Sequence, residues 1–191
     1  GIKNITSGEG GIIITNDKVV TQKISDARLL GVEKDTENRF KGKRSWDFDV
    51  TEQGWRYHMS NIMAAIGIVQ FNKFDQLKNK RQLLAQTYYK ELEGFVELLK
   101  CDYNKVVPHI FVIRVDSLKR DSIREKLSIL NIPTGIHYKP NHLLSLYRLN
   151  QVDSTLVRTE EIYKRLITLP IHPDLSVEQV IYVCKKLKSL L

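Results

Sequence analysis

Three glycines in four positions, Gly8, Gly10 and Gly11, separate an apolar lead-in from the run Ile12-Ile13-Ile14-Thr15. Such a turn lets backbone pass close to another group, at a cost in chain entropy that a plain hairpin does not carry. It restricts the chain to folds in which something sits against the turn. A single lysine, Lys3, stands five residues ahead of Gly8. Packed among Ile2, Ile5 and Ile12, its amine would lose hydration. Desolvation lowers an ammonium pKa and frees the lone pair that attacks a carbonyl to form a Schiff base. The same residues also suit a β-turn with a lysine beside it and no chemistry.

The remaining periodicity alternates between strand and helix. Residues 12–15 read as a short strand, and Asn16 or Asp17 caps a helix with Val20, Ile24 and Ala27 on one face and Gly31 at its end. Residues 33–49 are charged and aperiodic, a surface loop pinned by Trp46 and Phe48. Ser60 caps the next helix, whose inner stripe is Ile62, Ala65, Ile66 and Val69, with Ala64, Ala65 and Gly67 permitting close packing. Helical pattern resumes through Leu77, Leu84, Tyr88 and Leu92 until Gly94. Residues 109–115 then read as a strand, and Asp121 caps a helix carrying Ile123, Leu127 and Leu130. Residues 133–138 read as a second strand, 155–166 as helix and 169–171 as a third extended piece. Ser176 and Gln179 form a capping box for a last helix bearing Val180, Ile181, Cys184 and Leu187. Strands interleaved with helices give an α/β or α+β layer.

Five short blocks recur in one order: Lys3-Asn4 with Gly8-Glu9-Gly10-Gly11; Gly54-Trp55-Arg56-Tyr57-His58-Met59-Ser60-Asn61; Ala64-Ala65-Ile66-Gly67; His137-Tyr138-Lys139-Pro140; and Leu169-Pro170-Ile171-His172-Pro173. Together they resemble the DegT/StrS-type sugar-nucleotide aminotransferases, which use pyridoxal 5'-phosphate, across essentially the whole chain. The resemblance implies the C-terminal part of an aspartate-aminotransferase-like α/β fold. Residues 1–76 would end the large cofactor-binding domain, and 77–191 would supply a linking helix and a small C-terminal domain. It also implies that Lys3 bonds the cofactor as a Schiff base and, once released, shuttles a proton between the donor's Cα and the cofactor. Dehydratases of the same family carry His at this position, so Lys3 points to transamination over dehydration.

Other roles follow from the same resemblance. Arg56 stands where many relatives have Asn, and His58 where they have Arg. That block reaches toward the partner subunit's cofactor phosphate, which an Arg grips through paired donors; a helix-flanking surface Arg is the alternative. Tyr57 either bonds the same phosphate or packs as a buried aromatic. His137, Tyr138 and His142 resemble the His-Tyr-x-Pro-x-His segment lining the sugar-nucleotide pocket, and His109 either faces the nucleotide or simply starts its strand. His172, between two prolines, is structural, and Glu9 bonds across the turn. The implied reaction moves an amino group, from L-glutamate, to a keto group of a nucleotide-linked sugar for polysaccharide or antibiotic assembly. The implied assembly is a homodimer with shared sites, and the N-terminal half of the same enzyme is a further partner. A fragment acting only in dimerisation or binding is the competing class.

Composition bears on the alternatives. The chain has 191 residues and a net charge of +8, which invites a nucleic-acid reading. Its basic residues are interleaved with acids and lack the aromatic spacing of a base-stacking platform, so an anionic nucleotide-sugar partner is the better match. Two cysteines make no disulfide framework, and no signal peptide is visible, so the protein reads as cytoplasmic. No apolar run is long enough to span a membrane. Two histidines five apart without Cys or carboxylate companions make no zinc site. The chain opens two residues before Lys3 without an initiator Met, and reads as the C-terminal half of a longer enzyme.

Overall fold

The computed structural model describes residues 3–33, 41–43, 48–148 and 156–191. They divide into two compact units, Ile5–Asn72 in one and Lys3, Asn4 and Lys73–Leu191 in the other. Trp46 and Ile2 lie outside the described residues.

In the first unit, helix α1 (Lys18–Ala27) starts where Asp17 accepts hydrogen bonds from the amides of Val19 and Val20, at 2.8 and 3.2 Å. The helix stops short of Gly31, whose amide bonds back to the Asp26 carbonyl at 2.9 Å. The segment around Trp55 then lies along the exit of α1. Trp55 N donates to Ala27 O at 2.6 Å, Leu30 N to Trp55 O at 3.0 Å, and Tyr57 N to Arg28 O at 2.9 Å. Gly54 makes this approach possible, because a Cβ there would fall 1.9 Å from the backbone nitrogen of Gly31. Helix α2 (Asn61–Asn72) is capped by Ser60, whose hydroxyl accepts from the Met63 amide at 3.3 Å.

Several expectations for this unit fail, and for one reason. Residues 12–15 form no strand, with Ile12, Ile13 and Ile14 exposed at 85%, 71% and 86%. The intended inner stripe of α2 is open as well, with Ile62 76% exposed. That helix is apolar on nearly every side, so the chain offers it no single face to bury. Phe48 is exposed rather than pinning a loop. Periodicity identifies a surface that wants cover; it does not say whether the cover lies in the same chain.

The second unit closes a core of its own. Helix α3 (Phe74–Leu92) and helix α7 (Val177–Lys188) lie side by side over a three-stranded antiparallel sheet, β1 (Glu97–Leu98), β2 (Phe111–Arg114) and β3 (Leu166–Leu169), in that spatial order. Phe111 pairs with Leu169 and Arg114 with Leu166. On β2, Phe111 and Ile113 are buried while Val112 and Arg114 are only half-buried, the period of two expected of a half-covered strand. Tyr88 from α3 stacks on Phe111 with ring centroids 4.8 Å apart and donates its hydroxyl to Pro170 O at 2.8 Å. Ser176 and Gln179 form the reciprocal capping box at the start of α7. Gly94, with φ +80°, ends α3 as anticipated.

Helix α4 (Arg120–Ile129) covers the sheet with Ile123 and Leu127, but Asp121 does not cap it. Asp121 sits inside the first turn and accepts from Arg120 at 2.8 Å, a bond that holds its carboxyl below the usual range. Residues 133–138 form a single bridge, Gly135 to Thr168, instead of a strand. Pro133 has no amide to donate, which limits pairing there. Beyond it come the short α5 (Ser145–Arg148) and α6 (Val157–Tyr163), the latter within the helix read over 155–166. The third extended piece is β3, which runs earlier than residues 169–171 and ends before Pro170.

Candidate active site

Lys3 and Asn4 belong to the second unit, and their contacts show how it holds them. Asn4 donates from Nδ2 to Val107 O at 2.9 Å. Two residues past Val107, His109 Nε2 lies 3.1 Å from Lys3 Nζ. Gln82 on α3 fastens the approach to this segment, bonding Asn104 O at 2.9 Å and Val106 O at 3.3 Å. The amine is not withdrawn from water as anticipated. Lys3 is exposed, and Ile5 and Ile12 are themselves 40% and 85% exposed.

His109 is half-buried at the entry to β2. Burial, followed by the electrostatic influence of Lys3, Arg81 and His137, holds its imidazole below the ordinary histidine range. Arg81, on α3, is 4% exposed and donates from Nη1 to Ile171 O at 3.2 Å, while its Nε has no partner. Among the described residues no carboxylate pairs with Lys3, Arg81, His109 or His137. The patch is therefore a place of uncompensated positive charge.

His137 is positioned from two sides. Its Nδ1 lies 2.9 Å from Thr168 Oγ1, and its ring lies over Gly135, where a Cβ would come within 2.9 Å of His137 Cε1. Tyr138 is 58% exposed and meets the His137 ring edge-on at 4.6 Å. His142 lies 3.2 Å from Glu160 Oε1, tying the 3-10 turn Asn141–Leu143 to α6. His172 faces Asp174 at 3.9 Å. Thr168 and Arg81 escaped the sequence reading. Each leaves a mark there: a hydroxyl inside the apolar strand Leu-Ile-Thr-Leu, and an arginine on the buried side of an amphipathic helix.

The first unit carries Arg56, Tyr57 and Glu9. Arg56 is exposed, paired through its backbone with Leu29, and its guanidinium meets no carboxylate among the described residues. Tyr57 is 75% exposed and stacks on Trp55, centroids 6.2 Å apart, so it is not a buried packing aromatic. Across the glycine turn, Ser7 Oγ donates to the Glu9 carbonyl at 3.1 Å, and the Glu9 side chain stands in solvent. Among the described residues no group of three His, Cys, Asp or Glu is placed to hold a metal, and no helix is long and apolar enough to cross a membrane.

An exposed lysine amine at a strand entry, beside a histidine, on a three-stranded sheet flanked by helices, is matched in the C-terminal part of the PLP-dependent aminotransferase fold of its structural neighbours. The chain belongs to the DegT/DnrJ/EryC1/StrS aminotransferase family, whose model matches residues 1–188. Among its relatives, the uncharacterized protein MJ1066 of Methanocaldococcus jannaschii is 34% identical over 197 residues, 98% of this chain and 51% of its own length. Two solved structures superpose on it. PseC of Helicobacter pylori, an aminotransferase of pseudoaminic acid biosynthesis, gives a TM-score of 0.83 at 26% identity, over 98% of this chain and 50% of PseC. Spr1654 of Streptococcus pneumoniae, in its PMP form, gives 0.81 at 25%, over 98% and 50%. The chain thus spans about half the length of these relatives.

Aminotransferases of this family depend on pyridoxal phosphate. The residues at Lys3 fit that group: an accessible amine for its aldehyde, in a patch whose cations lack acidic partners and suit an anion.

Proposed function

We propose that this chain is the C-terminal part of an enzyme that transfers an amino group from an amino acid, L-glutamate, to a keto group on a nucleotide-linked sugar. The reading is supported most by one observation, the exposed Lys3 amine held 3.1 Å from His109 inside an acid-free cationic patch. Residues 1–76 would complete the large domain, and 77–191 form the linking helix and small domain.

When bound, pyridoxal phosphate supplies an electron sink for the amino acid's Cα. Lys3 would hold it covalently through Nζ and, when released, carry the proton to and from the donor's Cα. The cationic patch would orient anionic groups. His109, His137, Tyr138 and His142 would line the substrate side, with Thr168 aligning His137. Arg56 would grip the cofactor phosphate through two parallel donors, and Tyr57 would add a hydroxyl. The enzyme would work as a homodimer whose sites draw Arg56 from the neighbouring subunit, in the cytoplasm, in the assembly of surface polysaccharides or antibiotic sugars.

Borohydride reduction in the presence of pyridoxal phosphate tests this reading. The label should appear on Lys3, and Lys3→Ala should remove it and both half-reactions while the fold persists. Label on Lys18 or Lys23 instead refutes the assignment.

A further inference from the structure

We infer that His109 is a positioning residue for the Lys3 amine, accepting its hydrogen bond at Nε2 and holding Nζ in one place whenever the amine is not covalently engaged. The contact stands on the geometry of this chain alone; its consequence for transamination rests on the function proposed above.

The direction of the bond follows from the donors available. A lysine ammonium has three N–H donors and no acceptor. The 3.1 Å contact therefore makes His109 Nε2 the acceptor and leaves the ring proton on Nδ1. Lysine's four-carbon stem is flexible, and an exposed one samples many rotamers unless something ends the search. Here the chain spends several contacts on ending it. Asn4 ties the residue beside Lys3 to Val107, two residues ahead of His109. Gln82 secures Val106 and Asn104 to α3, and Phe111, fully inside the core, anchors the strand that follows. Both partners of the contact are thus fixed by the same two segments, although 106 residues separate them in sequence.

Charge keeps the ring an acceptor. The groups facing His109 are Lys3 itself, Arg81 from α3 and His137 from the Gly135–Thr168 bridge, with no carboxylate among the described residues. Burial, and then the charges of Lys3 and Arg81, favour the neutral imidazole at physiological pH. The sign is definite. As pH falls through the depressed pKa of His109, the ring becomes a second cation 3.1 Å from an ammonium, and the contact opens. Lys3 is therefore held at neutral pH and released by acid, with no proton passed between the two residues.

Long-range nitrogen–proton NMR on the ring-labelled chain, without cofactor, tests the contact directly. At pH 7.5 His109 should be the Nδ1–H tautomer, titrating below the ordinary histidine value, and Lys3→Ala should raise that pKa toward it. An Nε2–H tautomer, or a pKa that Lys3→Ala leaves unmoved, overturns the inference. The consequence is read by borohydride labelling of Lys3 across pH with pyridoxal phosphate in excess. His109→Gln keeps an acceptor oxygen, so its labelling rate at neutral pH should stay within about threefold of the parent, and on the acid side it should fall only as the free-amine fraction falls, without the parent's additional drop. His109→Leu keeps no acceptor and should label about tenfold more slowly. Equal rates in the two variants overturn the positioning role. Label absent from Lys3 in the parent chain would sink the proposed function instead, and the NMR result would still decide the role of His109.

Discussion

Gly54→Ala is the most informative single change in the first unit. A Cβ at this position would sit 1.9 Å from Gly31 N, 2.2 Å from Leu30 C and 2.6 Å from Gly31 Cα, all backbone atoms that cannot swing aside. Ordinary contact begins near 3.4 Å, so the two segments must part. Parting them breaks the bonds from Trp55 N to Ala27 O, Leu30 N to Trp55 O and Tyr57 N to Arg28 O. Each backbone hydrogen bond contributes about 1 kcal/mol net, so the three together are worth roughly 3 kcal/mol. At about 1.4 kcal/mol per tenfold, local opening should become on the order of a hundredfold more frequent. Amide hydrogen exchange reads this residue by residue. The amides of Leu30, Trp55 and Tyr57 should lose about two orders of magnitude of protection, while Ile113 and Ile167 in the second unit keep theirs. Parent-like protection at Leu30 and Tyr57 would refute the reasoning. Because Arg56 lies inside the parted segment, Gly54→Ala should also loosen cofactor retention without touching any charged group.

Arg56→Ala should weaken cofactor retention by roughly ten- to a hundredfold, as expected when a desolvated two-donor phosphate contact is lost. Mixing Lys3→Ala with Arg56→Ala subunits should restore activity if Arg56 serves the neighbouring site, since each mixed dimer then has one intact site; no recovery, with subunit exchange confirmed, rules that out. Thr168→Val keeps the shape of a residue 6% exposed but removes the partner of His137 Nδ1; denaturant midpoints should fall by the equivalent of about 1 kcal/mol, and the His137 ring resonances should broaden. Cys184 is buried, and burial beside Glu91 pushes its thiol up to about 12. At pH 8 the half-buried Cys101 should react with a thiol reagent while Cys184 stays silent until unfolding.

What the sequence reveals depends on where each residue's partner lies. Among the described residues, every hydrophobic residue in the buried core belongs to the second unit, from Leu84 to Leu187. There the periodicities of α3, β2 and α7 named the right faces, and the capping box at Ser176 named the right start. In the first unit the caps at Asp17 and Ser60 were legible, because a cap is local chemistry between a side chain and amides two or three residues on. The strand at 12–15 and the stripe on α2 were not, because burial is a property of two surfaces. In the candidate site, the motif nominates Lys3 and His137, which contact His109 and Thr168. It was silent on Arg81 and Thr168, whose contacts lie 90 and 31 residues away in sequence.

The division of the chain also bears on how the lysine is held. Lys3 and Asn4 group with the well-cored second unit, while the glycine turn that follows them groups with the first, whose apolar residues are largely open. Local stability follows the density of buried apolar contact. Under the function proposed above, the Lys3 amine must return to one place in every turnover, and misplacement by even an ångström is costly to a reaction between positioned groups. Anchoring Lys3 through Asn4 and His109 to the strand-and-helix core therefore ties the amine to the firmest part of the chain. On this argument, loosening the first unit, as Gly54→Ala does, should leave the Lys3–His109 contact intact. The tautomer of His109 in that variant is the measurement that separates the two: an unchanged Nδ1–H signal supports anchoring by the core, and its loss shows that the first unit holds the lysine after all.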